Sequence, residues 1–177
     1  MRPFFRDDDF NFLTEIALGA TYHQAADVGE VLSTVERIRK WPRAVPGSMS
    51  GRPPRTGWPP RPAPTRTPVA CIPLLDSFTR VSMYYALATS SSDGTGDPML
   101  FAALWEKHRA AWDRFVDLTD LTIERIEIPY EGMTLPGYFF RAASGDEPRR
   151  TLIFNNGSDG PVTGAWVQGI ADALARG

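Results

Sequence analysis

Between Pro42 and Pro73 the chain carries ten of its sixteen prolines. Proline removes a backbone donor and clashes with the preceding helical turn, so no helix interior or central strand tolerates this density. A packed core must therefore come from the segments on either side. The same stretch, residues 42–75, has five arginines and no aspartate, glutamate or lysine. Three readings stay open. It is a disordered or polyproline linker. It is a docking peptide for an aromatic groove, although the spacing around Pro59, Pro60 and Pro62 matches PxxP with a flanking arginine poorly. Or it is translated out of its ancestral frame, because GC-rich coding DNA read in a wrong frame yields Arg, Pro, Gly, Ala, Ser and Thr with few acids or lysines.

Before that stretch, residues 1–41 read as helical. Asp7, Asp8 and Asp9 precede Phe10, Leu13, Ile16 and Ala17. Carboxylates there suit the positive end of a helix dipole, and Gly19 marks the helix end. Three adjacent carboxylates cannot all point inward from one turn, so a solvated N-terminus is preferred to an acidic metal site. Asp27 is placed to cap a second helix, with Val28, Val31, Leu32, Val35 and Ile38 on one face. That helix stops at Trp41-Pro42.

Residues 76–120 are helical again. Phe78, Val81, Tyr85 and Ala88 recur at helical spacing behind Asp76 or Ser77. After a turn-rich loop, Asp97-Pro98 predicts a cap and first helical position. Phe101, Trp105, His108, Trp112 and Phe115 then form one stripe. His108 reads as a partly buried helix residue rather than a ligand, since no second ligand lies at helical spacing. His23 has no partner in the sequence either. The Trp105/Trp112 stripe is a candidate homodimer surface of the helical region.

From residue 121 the period drops towards two. Ile126, Ile128 and Tyr130 alternate with Arg125, Glu127 and Pro129, and Glu131-Gly132 is a turn into Leu135–Arg141. This predicts a β-hairpin, with Pro129 and Pro136 at edge positions. Leu152-Ile153-Phe154 reads as a strand buried on both faces. Two asparagines, a loop with Gly157 and Gly160, and a helical pattern over residues 162–175 follow.

The composition narrows the function classes. A net charge of −2 with pI about 5.7 argues against a general nucleic-acid binder. Cys71 is the single cysteine, so no internal disulfide and no cysteine-built metal site can form. The start, MRPFFRDDDF, is too broken by charge for a signal peptide, and no apolar run approaches a membrane span. A cytoplasmic protein without a membrane partner is expected.

The strings IPYEGMTLPGYFFR and TLIFNNGSDGPVTGAW resemble the opening of the α/β-hydrolase catalytic domain. The similarity is to the subgroup with a helical N-terminal region, which includes 2,6-dihydropseudooxynicotine hydrolase and esterase- or peptidase-like enzymes. It covers residues 121–177, about a third of the chain, and DVGEVLSTVERI also resembles that subgroup's N-terminal segment. The resemblance implies an α/β fold: a helical, cap-like region followed by the first strands and first helix of an incomplete hydrolase sheet. It implies hydrolysis of an ester, amide or related carbonyl bond of a small-molecule substrate, with no cofactor. It implies that the loop after the third strand donates one backbone N–H to an oxyanion hole. By that resemblance the Ser158 N–H is the expected donor here, and Gly157 would allow close backbone approach. Such a donor contributes about 3–4 kcal/mol in a preorganised site.

The chain departs from the family where the chemistry should be. No GxSxG elbow occurs, and no histidine follows Ser158. A serine needs an adjacent base, so Ser158 is not read as a nucleophile and the chain is expected to be inactive. In the family's sheet the third strand lies between the fourth and fifth, so here it is expected to lack neighbours. The alternative is a non-catalytic helical interaction module with a proline-rich linker. A phosphate-binding βα unit comes last, because the loop lacks both the P-loop lysine and GxGxxG.

Overall fold

The computed structural model describes residues 4–40, 71–92, 95–142, 147–157 and 160–176. Residues 41–70, which hold nearly all of the Pro/Arg stretch, lie outside the described residues, as does Ser158. Helices and one two-stranded antiparallel hairpin make up the described structure.

Helix α1 (Asp8–Gly19) starts as its sequence dictates: Asp7 accepts from Phe10 N at 3.0 Å. A 3₁₀ turn, Ala20–His23, follows, and Gln24 at φ 58° ends it in the left-handed region. Asp27 accepts from Glu30 N at 2.9 Å and opens α2 (Val28–Lys40). Only Val31 and Val35 of the expected apolar face are buried; Val28, Leu32 and Ile38 stay exposed.

Helix α3 spans Cys71–Thr89, so it begins five residues before the expected cap at Asp76. Pro73 does not forbid this, because the N–H groups of a first turn have no intrahelical acceptor. Its buried stripe is also rotated from the expected one. Thr79, Ser82, Met83 and Ala86 face inward, while Val81 and Ala88 are exposed. The small Thr79, Ser82 and Ala86 let α3 pack on α4 (Leu100–Leu118), while the large Met83 fills the first apolar cluster. Asp97 accepts from Met99 N at 3.0 Å in the turn before α4, but it is not the cap: Met99 stands there without a side-chain cap bond, and Pro98 lies outside the helix. The α4 stripe divides. His108, Trp112 and Phe115 are buried, whereas Phe101 and Trp105 are exposed and stacked with centroids 6.2 Å apart. Trp112 is therefore core, and the Trp105/Trp112 stripe is not one continuous surface.

Strands β1 (Ile123–Tyr130) and β2 (Met133–Phe140) pair with Tyr130 opposite Met133. Glu131 and Gly132 have φ of 44° and 81°, the two-residue turn whose twist suits a hairpin. Arg141 N donates to Thr122 O at 3.0 Å, which fixes the ladder's phase. By alternation, Glu124, Ile126, Ile128 and Tyr130 point their backbone groups at β2. Ile123, Arg125, Glu127 and Pro129 point theirs away. Pro129 and Pro136 thus both sit where an N–H would face outward, as the sequence predicts.

Leu152-Ile153-Phe154 is not a buried strand. It pairs with nothing in the described ladder and is 65, 88 and 37% exposed. An apolar run becomes a central strand only if strands flank it, and none does among the described residues. The expected helix over residues 162–175 is also interrupted. A four-residue turn, α5 (Val162–Ala165), passes into a π-type segment, Trp166–Ile170, kinked at Gly169, and then α6 (Ala171–Arg176).

Two apolar clusters result. One gathers Ala17, Ala20, Ala25, Ala26, Val31 and Met83 between α1, α2 and α3. The other gathers Trp112, Phe115 and Val116 of α4 with Phe78, Ile123, Tyr138, Phe140, Val162 and Trp166. The segment from Val162 to Val167 touches both, since Val167 packs on the first cluster.

Candidate functional site

The loop after the apolar run is held by its own side chains and backbone. Asn156 Nδ2 donates to Pro161 O at 2.9 Å, and Gly160 N donates to Gly157 O at 3.0 Å. Asn156 Oδ1 is buried without a hydrogen-bond partner among the described residues. The two glycines have different roles. A Cβ on Gly157 would meet nothing within 4 Å, so this position is open to approach. A Cβ on Gly160 would lie 2.6 Å from Asn156 Cβ and 3.4 Å from Gly157 O. The loop's closure therefore requires glycine at 160. Gly160→Ala is expected to lower stability by about 1–3 kcal/mol through overpacking. Gly157→Ala is expected to stay within about 0.5 kcal/mol. Thermal unfolding of the two variants checks the order, and equal losses would contradict this loop geometry.

A second polar cluster lies beneath α5. Ser82 Oγ is 2.9 Å from His108 Nδ1 and 2.6 Å from Thr163 Oγ1. His108 Nδ1 is also 3.0 Å from the Ser82 carbonyl oxygen. A carbonyl only accepts, so Nδ1 carries the proton and donates. Nε2 then holds a bare lone pair, buried without a partner among the described residues. Burial pushes the His108 pKa down; the Ser82 carbonyl opposes this, the Arg109 charge adds to it, and Asp113 opposes it.

Ser82 and His108 have the spacing of a nucleophile and base, but they cannot act as one. All three side chains are fully buried, and Nδ1 is already protonated against a carbonyl. The arrangement instead bolts α3, α4 and α5 together. The sequence places His108 as a partly buried helix residue, whereas it is fully buried, and the sequence reading singles out neither Ser82 nor Thr163. The signal for Ser82 was the small-residue spacing Thr79, Ser82, Ala86.

Two further clusters tie elements together. Tyr84 Oη donates to Glu30 Oε2 at 3.0 Å and accepts from Asp27 N at 3.0 Å, joining α3 to the start of α2. Its pKa is pushed up to about 12, first by burial and also by Glu30. Tyr138 Oη donates to Asp113 at 3.1 Å and accepts from Arg109 at 2.8 Å, joining β2 to α4. Arg125 of β1 reaches Asp117 at 2.7 Å and Asp113 at 3.5 Å. His23, expected to lack a partner, lies 3.8 Å from Asp172 of α6. That pairing joins residues far apart in sequence and follows from no local pattern.

A groove of about 460 Å³ on α2 is lined by Phe4, Leu32, Ser33, Val35, Glu36 and Arg39. It includes neither the glycine loop nor the Ser82 cluster. Among the described residues no group of three or more His, Cys, Asp or Glu could hold a metal ion, and no helix is long and apolar enough to cross a membrane. No family model, curated protein or solved structure matches the chain.

Proposed function

We propose that the chain is the N-terminal portion of an α/β-hydrolase-like enzyme of the cytoplasm, acting on an ester, amide or related carbonyl bond of a small molecule. One observation carries this reading. The hairpin face turned away from α4 presents Ile126, Ile128, Tyr130, Met133, Leu135 and Phe139, all at least 36% exposed. The apolar run Leu152 to Phe154 is exposed as well. A contiguous apolar patch of this kind marks a surface made to be covered. In a hydrolase, further strands and helices would cover it. The order of hairpin, apolar run, asparagine-glycine loop and helix is the order in which such a domain opens.

In this reading Gly157 and the Ser158 N–H form one side of the oxyanion hole, and the α1–α4 region forms the cap over the substrate. The Ser82–His108–Thr163 bolt would hold cap and catalytic part in register, because Thr163 follows the oxyanion loop directly. The alternative, a helical interaction module, is favoured by one feature: the exposed stacked pair Phe101 and Trp105.

The test has two arms. The purified chain should not hydrolyse a fluorogenic short-chain ester, and turnover that depends on one of its serines would overturn the predicted silence. The DNA downstream of codon 177 should encode, in some frame, a strand, a GxSxG elbow and a late histidine. Their absence from all frames would overturn the hydrolase reading and leave the interaction module.

A further inference from the structure

Among the described residues both outer edges of the hairpin are unpaired, and the edge of β1 has a property that the edge of β2 lacks. On β2 the outward-facing positions are Thr134, Pro136, Tyr138 and Phe140, so a proline interrupts the donors in mid-strand. On β1 the donors of Ile123, Arg125 and Glu127 run uninterrupted, and Pro129 stands at the turn end. Every β1 residue after Ile123 is exposed. An exposed row of unpaired backbone groups is a template for strand pairing.

We propose that β1 pairs antiparallel with β1 of a second copy of this chain, about a two-fold axis at Ile126, to give a four-stranded sheet in the order β2–β1–β1–β2. Charge selects this occupant and this register. Centring on Ile126 places Arg125 of each copy opposite Glu127 of the other. Moving the axis to Arg125 sets arginine against arginine, and moving it to Glu127 sets glutamate against glutamate. Opposite charges directly across a ladder stabilise it and like charges destabilise it. Glu127 has no ion pair within the chain among the described residues, and Arg125, though held by Asp117, keeps 49% of its side chain exposed. The backbone fits the same axis. Arg125 and Glu127 of the two copies exchange both hydrogen bonds, and Ile123 N donates to Pro129 O. Pro129 has no N–H to waste, so only the Ile123 carbonyl lacks a donor. The contact is isologous and closes on itself, which limits assembly to a dimer. The proposal does not depend on the hydrolase reading, which concerns a face of the hairpin rather than its edge.

Sedimentation equilibrium of the purified chain should show a dimer. In the two-fold register Ile126 of one copy opposes Ile126 of the other at a non-hydrogen-bonded site, with Cα atoms about 4.5 Å apart. This lies within disulfide range. In a Cys71→Ser background, Ile126→Cys should therefore cross-link the dimer under oxidation, and Ile128→Cys, placed opposite Glu124, should not. Glu127→Arg should weaken the dimer by about tenfold while circular dichroism stays unchanged. A monomer, an open-ended aggregate, a dimer that does not cross-link through residue 126, or a dimer indifferent to Glu127→Arg would each overturn the proposal.

Discussion

Trp112→Ala is expected to cost about 3–5 kcal/mol, as large-to-small changes of a buried tryptophan do. Trp112 has no exposed surface, and its ring lies 5.1 Å from Phe115, 5.9 Å from Tyr138 and 6.3 Å from Trp166. It thus joins α4, β2 and the kinked C-terminal segment in one contact set. A loss of that size is a large part of the roughly 5–15 kcal/mol that holds a domain folded. Urea unfolding followed by circular dichroism should show a lower midpoint with an unchanged slope. Trp105→Ala is the control. That ring is exposed and, among the described residues, stacks on Phe101 and lies against His108, so its loss should be about 1 kcal/mol. Equal losses would mean that the aromatic cluster is not the core.

The second large effect is acid destabilisation through His108. The folded state holds His108 neutral, with a pKa below the ordinary 6.5. The unfolded chain binds a proton there as the pH falls through about 6.5, and the folded chain does not. The unfolded state then binds more protons, so stability falls with pH. Stability from this group is complete above that value. It is lost progressively down to the lowered folded pKa, at up to about 1.4 kcal/mol per pH unit. Protonation at Nε2 would put a charged donor in the interior with no acceptor, which adds to the cost. Asp76 works the other way at lower pH, because burial raises its carboxyl pKa, with Arg80 opposing. The check is urea unfolding between pH 7.5 and 5. His108→Asn keeps a donor near the Nδ1 position and cannot titrate, so its stability should change less over that range. An identical slope in the variant would assign the acid effect elsewhere.

The parts of the fold legible in the sequence are those fixed by near neighbours. Asp7 and Asp27 cap the helices they precede, Glu131-Gly132 makes the hairpin turn, and Pro129 and Pro136 sit on outward edges. Each depends on residues within a few positions. The misread parts depend on distant partners. The inward stripe of α3 is Thr79, Ser82, Met83 and Ala86 because His108 and Thr163 need Ser82 there. Apolar spacing pointed instead to Phe78, Val81, Tyr85 and Ala88, of which Phe78 does pack on the second cluster while Val81 and Ala88 stay exposed. The run Leu152 to Phe154 has the composition of a central strand, but strand identity requires a neighbouring strand. The hairpin carried a similar ambiguity. Ile126, Ile128 and Tyr130 look like its core face, yet Ile123, Tyr138 and Phe140 on the other face pack on the cluster of Trp112, Phe115 and Val116. In the glycine loop, spacing singled out Gly157, while the steric demand falls on Gly160.

The stretch from Val162 to Val167 also sets the order in which the molecule can be finished. Thr163 meets Ser82 across 81 residues of chain, and Val167 and Trp166 complete different clusters. A ribosome making about 5–20 residues per second needs roughly 2–10 s to advance from Leu118 to Val167. For that interval α1 to α4 are made, but both clusters lack their last side chains. Contacts of such long sequence separation also slow refolding, because the intervening loop must close before they form. The nascent helices therefore wait seconds for these side chains, and the segment from Val162 to Val167 acts as the latch that closes both clusters.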